Sequence, residues 1–73
     1  MSIIGDFFEE DKERLEKFEG VLSELMREFN RTSEEMERLR GAGKEKSVRY
    51  RELMGRKLMY SSMASMFERH GLL

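Results

Sequence analysis

Apolar side chains in the first half of the chain recur every seven residues in two interleaved series. Phe8, Leu15, Leu22, Phe29 and Met36 form one, and Ile4, Asp11, Phe18, Leu25, Thr32 and Leu39 form the other. Nine of the eleven positions are apolar, Asp11 and Thr32 being the exceptions. Two such series on a 3.6-residue period describe one stripe along a long helix, the pattern of a coiled-coil or bundle seam. Val21 and Met26 flank the stripe and widen it. Asp6 followed by Glu9 reads as an N-cap with a returning carboxylate, and Glu9, Glu10 and Asp11 suit the positive end of a helix dipole. The spacing predicts a helix over about 6–40, with a start that could move back to Ser2. Thr32 to Glu35 is a second capping box, which would divide the segment into helices ending near 29 and spanning 33–40. The unbroken heptad register favours one continuous helix.

Gly41-Ala42-Gly43 marks a turn, placed at 41–46. A second helix follows over about 47–70, with Gly71 as its stop and Leu72 and Leu73 folding back. Its best stripe has Tyr50, Lys57 and Ala64 in one series and Leu53, Tyr60 and Phe67 in the other. Lys57 therefore sits on the seam. Met54, Met59, Met63 and Met66 border the stripe and read first as flexible core filler, second as an adaptable binding surface. The fold class expected is all-α: an antiparallel two-helix hairpin in one domain over 1–73, dimerising into a four-helix bundle.

A turn centred near residues 43–44 makes facing residues sum to about 87. Met36 then meets the turn holding Leu53, Leu25 meets Tyr60 and Met63, Phe18 meets Phe67, and Leu15 lies near Leu72. Gly55 falls at the height of Thr32, where a thin layer would let the helices approach closely. Residues 3–14 overhang the shorter second helix. Ile4, Phe7, Phe8 and Leu15 are accordingly the candidate oligomer-interface residues, since an apolar patch without a partner usually marks a contact surface.

Composition sharpens this reading. Of the 73 residues, 40% are charged, and there is no proline, cysteine or tryptophan. A chain this short shields little of itself from water, and without disulfides or thiolate metal sites, association is the common remaining means of stabilisation. A homodimer is expected, with a tetramer as the alternative. Net charge is −1 overall, but residues 1–40 carry 12 acidic and 7 basic side chains, whereas 41–73 carry 3 and 7. The two halves should attract each other weakly. No apolar run reaches membrane-spanning length, no signal peptide is visible, and Ser2 stands where myristoylation needs glycine, so a soluble cytoplasmic protein is expected.

Catalytic chemistry finds no support in the residue pattern. Gly41-Ala42-Gly43-Lys44 lacks the upstream glycine, the following hydroxyl residue and the preceding strand of a phosphate loop. His70 has no cysteine or histidine companion for zinc and no serine partner, so it reads as a cation at a helix C-terminus. No cofactor or metal is implied, and the chain is expected not to be an enzyme. The basic group Lys44, Lys46, Arg49, Arg51, Arg56 and Lys57 is the one cluster with chemistry to offer. It stands at a helix N-terminus, the unfavourable end for cations, which an anion would relieve. The competing reading pairs it with Glu34, Glu35 and Glu37 on the facing helix, and that reading is preferred.

In layout the hairpin is similar to small proteins that dimerise into four-helix bundles, the Rop-type RNA-binding modulators among them. The likeness is one of layout and transfers no residue and no function. Three function classes follow: a self-association or protein-interaction module, a small nucleic-acid-binding regulator using the basic cluster, and a membrane-surface protein inserting Ile3, Ile4, Phe7 and Phe8. Interfacial helices are usually basic on their polar face, and the acidic residues after Phe8 oppose the third.

Overall fold

The computed structural model describes the backbone of residues 3–73 and the side chains of residues 9–73. Two helices form it: α1, Ile3–Gly41, and α2, Val48–Arg69. Glu35 meets Arg49, Phe29 meets Lys57 and Phe18 meets Phe67, so the helices run antiparallel, with facing numbers summing to 84–86. The hairpin therefore forms at nearly the expected register. α1 passes through Thr32–Glu35 without a break. Its start at Ile3 places Asp6 inside the helix rather than at its cap. The expected cap at Asp6 gives way to an earlier beginning because nothing between Ile3 and Asp6 interrupts a helix except one glycine.

Both helices end in the same way. Gly43 takes φ 71°, and the N–H groups of Gly43 and Lys44 donate to the carbonyls of Arg40 and Leu39. Gly71 takes φ 72°, and the N–H groups of Gly71 and Leu72 donate to the carbonyls of Glu68 and Phe67. These are Schellman motifs, in which a left-handed residue turns the chain back onto carbonyls the helix leaves unpaired. Glycine holds that conformation without a Cβ clash. Ser47 then caps α2: its hydroxyl accepts from the Tyr50 N–H at 3.2 Å and donates to the Lys44 carbonyl at 2.7 Å.

The core is narrow. Leu22, Leu25, Met36, Tyr50 and Leu53 are buried, with Thr32 the one buried polar residue among those described. Met36, Tyr50 and Leu53 pack together near the turn, with Leu39 against them. Phe18, Phe29, Tyr60, Ala64 and Phe67 are half-buried further along. Phe18 and Phe67 close the seam edge to face, ring centres 5.4 Å apart, a favoured geometry for aromatic pairs. Beyond this pair α2 stops, and every residue from Glu9 to Lys17 is exposed.

Two expectations about the interior are corrected. Met54, Met59, Met63 and Met66 are between 39% and 54% exposed, so they flank the core rather than fill it. Gly55 is exposed, and a Cβ built there meets nothing within 4 Å. It lies two residues, some 200° of helix, past the buried Leu53, and so points away from α1. A mid-helix glycine in open space only weakens the helix. Gly55→Ala is expected to raise stability by about 0.5–1 kcal/mol, which a thermal melt followed by circular dichroism reads as a higher midpoint.

Candidate functional site

The basic cluster divides into two groups. Arg49 reaches back across the seam to Glu35, its Nε and a terminal nitrogen donating to the two carboxylate oxygens at 3.0 and 3.2 Å. A planar guanidinium fork matches a carboxylate in this two-point way. Glu52 stands 3.7 Å from the same guanidinium. Lys57 lies on the seam as its spacing implied. Its ammonium sits 5.8 Å from the centre of the Phe29 ring, so the stem covers apolar surface while the charge meets a π face. Arg49 and Lys57 are thus part of what holds α2 on α1. Lys44, Lys46, Arg51 and Arg56 make no ion pair among the described residues.

The facing carboxylates are only partly used. Glu35 binds Arg49, Glu37 binds Arg40 at 2.9 Å, and Glu34 has no ion pair among the described residues. Arg40, outside the group singled out from sequence, also donates to the Tyr50 hydroxyl at 2.7 Å. That bond satisfies the polar end of a buried ring, and the Tyr50 oxygen and Glu37 hold the guanidinium firmly protonated.

The Arg49 hydrogen bonds hold the Glu35 carboxyl below its ordinary value of 4.5, with Arg38 and Arg56 adding attraction at longer range and partial desolvation opposing them. A depressed carboxylate pKa contributes stability above the unfolded value and loses it as pH falls through the folded one. The melting temperature should therefore drop on acidification from about pH 5 to about pH 3. In Glu35→Gln that drop should be smaller, which paired melts at the two pH values would show.

No family model, curated protein or solved structure matches this chain. The functional reading rests on the surfaces themselves.

Those surfaces are the two open sides of the seam. On one, Val21, Leu25, Tyr60 and Met63 line a shallow groove of about 200 Å³ with Glu24 and Glu28 at its rim. Met59 and Met66, each about half exposed, lie further round α2 and outside the groove's lining. The other side carries Met26, Met54 and Leu58, from 41% to 63% exposed. Spacing places Val21 on the flank and Leu25 beside Tyr60 and Met63, but the open groove between them is not legible in the sequence. The interface candidates Ile4, Phe7 and Phe8 have side chains outside the described residues. Leu15 is 58% exposed, because α2 ends before reaching it, and Leu72 is 48% exposed as well. Among the described residues no helix is long and apolar enough to cross a membrane, and no group of side chains could hold a metal ion.

Proposed function

We propose that this chain is a non-catalytic self-association and protein-interaction module, a helical hairpin whose open sides are completed by another copy of itself or by the helices of a partner. The observation that carries the reading is the imbalance of its apolar surface. Five hydrophobic residues are buried among those described, while eleven large ones are at least 39% exposed. Val21, Met26, Met54 and Met63 among them border the seam between the two helices. Isolated exposed apolar residues need no explanation, but contiguous ones usually mark a contact surface. Methionine-rich flanks also suit contacts that must adapt in shape. Association that involves only the folded state stabilises it by mass action. The melting temperature should accordingly rise as protein concentration increases from low to high micromolar. A midpoint independent of concentration would count against the proposal.

A second reading, a small nucleic-acid-binding regulator, draws on Lys44, Lys46, Arg51 and Arg56, the four cations of the cluster without an ion pair among the described residues. Phosphate binding would make retention fall steeply with salt. Against it stand the net charge of −1 and the use of Arg49 and Lys57 within the seam. We expect no retention of RNA or DNA in filter binding at low salt and micromolar protein. Salt-sensitive retention, abolished in the combined Arg49→Gln, Arg51→Gln, Arg56→Gln variant, would establish the second reading instead.

A further inference from the structure

The distribution of charge along the hairpin says how two copies would lie. The turn end is basic: residues 38–57 carry eight basic and two acidic side chains. The overhanging end is acidic: residues 9–16 carry five acidic and two basic. Two hairpins stacked side to side with their turns together would bring the basic ends into contact. Stacked with turns apart, the basic ends are kept away from each other. Each acidic overhang then lies at the level of the other's residues 28–35 and 50–57, which together carry four basic and four acidic side chains. Keeping like-charged patches apart orients an encounter even where single surface pairs contribute little.

The groove has the position this second arrangement needs. α1 runs from Ile3 to Gly41, 39 residues, so its midpoint is residue 22. Val21, Leu25, Tyr60 and Met63 surround that level. A two-fold axis across the middle of α1 would therefore set the apolar groove against itself. Self-complementarity about the axis is what a two-fold interface requires.

The side chains beside the groove fit the same axis. Residues of the two α1 helices that face each other across it have numbers summing to about 44. Lys17 then meets the second copy's Glu28, and Glu13 meets its Arg31. These four lie along one side of α1, because 11 and 18 residues are close to three and five whole turns. Glu28 lines the groove, which identifies that side. Within the chain Glu28 already holds Arg31 at 3.2 Å, the two side chains 36% and 72% exposed. Lys17 and Glu13 are exposed, with no ion pair among the described residues. Each half of the interface thus closes into a quartet of alternating sign.

We infer that the occupant of the Val21–Tyr60–Met63 groove is a second copy of this chain, running antiparallel and packed α1 on α1, with Lys17 and Glu13 of each copy paired to Glu28 and Arg31 of the other. This rests on the self-association reading and adds its face and its direction.

Charge reversal and cross-linking on the full chain test it together. Lys17→Glu and Glu28→Lys should each raise the dimer Kd about tenfold at low salt, since each reverses two symmetry-related pairs. The double variant, Lys17→Glu with Glu28→Lys, should return close to the parent Kd. Circular dichroism of each variant at high dilution checks that the hairpin itself still folds. The chain holds no native cysteine, so single introduced thiols report unambiguously. Mild oxidation of a mixture of Glu13→Cys and Arg31→Cys chains should give the mixed disulfide in preference to either homodimer. A parent that sediments as monomer would overturn self-association, and this arrangement with it. A parent that dimerises but gives no mixed disulfide, and no recovery in the double variant, would leave self-association standing and overturn the antiparallel α1 pairing.

Discussion

Leu53→Ala is expected to bring the hairpin to the edge of unfolding. Leu53 is 1% exposed, the one fully buried side chain among the described residues, and it packs with Met36 and Tyr50 where the helices leave the turn. Truncating a buried leucine to alanine costs about 2–5 kcal/mol, through lost burial and the cavity left behind. At the usual stability per residue, a chain of 73 residues holds only about 4–11 kcal/mol in total. The substitution should thus remove at least about a fifth of the stability and at the upper end nearly all of it, lowering the melting midpoint by about 8 °C or more. Leu53→Met, which nearly conserves volume, should cost less than about 1.5 kcal/mol. Thermal melts of the two variants beside the parent separate loss of packing from mere change of side chain. If Leu53→Ala melts within a few degrees of the parent, the seam between α1 and α2 is not what holds the fold.

The second large effect falls on association rather than folding. Val21 is 49% exposed and Met63 39%, facing each other across the groove at the middle of α1. Placing glutamate at both positions adds two carboxylates per chain beside Glu24 and Glu28. In a two-fold pairing through this face, the added carboxylates of both copies would be buried close together. An unpaired buried charge costs several kcal/mol, so Val21→Glu with Met63→Glu should weaken self-association by a hundredfold or more. The hairpin should keep its helicity, because substitutions at exposed positions usually change stability by no more than about 0.5 kcal/mol. Sedimentation and circular dichroism on the same samples distinguish the two effects. Unchanged mass would move the interface to the other side of the seam, toward Met26, Met54 and Leu58.

The first helix is where pattern and structure agree most closely. Leu22, Leu25, Thr32 and Met36 belong to its two heptad series and are all buried, while Phe18, Phe29 and Leu39 are half-buried. Leu15 belongs to the same series yet is exposed, because heptad spacing marks a face without saying how far the partner helix extends. The turn glycines placed both stops correctly, since a left-handed residue is needed there and little else supplies it. In the second helix the apolar residues are spread around much of the circumference. Met54, Leu58, Met59 and Met66 share no single stripe, so spacing alone could not separate flank from core. Gly55 shows the same limit. Its height beside Thr32 followed from the turn, but its side of the helix is set by Leu53 and Lys57, and two residues carry it to the far face. As for the basic group, proximity in sequence did not reveal which cations the fold uses. Arg49 and Lys57 meet Glu35 and Phe29 because α2's seam brings them there, whereas Lys44, Lys46, Arg51 and Arg56 find no ion pair among the described residues. The groove at Val21 and Met63 arises only when two flanks are set side by side.

Sedimentation equilibrium of the unmodified chain at high micromolar concentration and low salt tests the central claim most directly. The chain has a mass of 8.7 kDa. Self-association through the open seam predicts a species of twice that mass that dissociates on dilution and, given the Lys17–Glu28 and Glu13–Arg31 pairs proposed between copies, more readily on raising the salt. A single species at the monomer mass across the whole concentration range would contradict it.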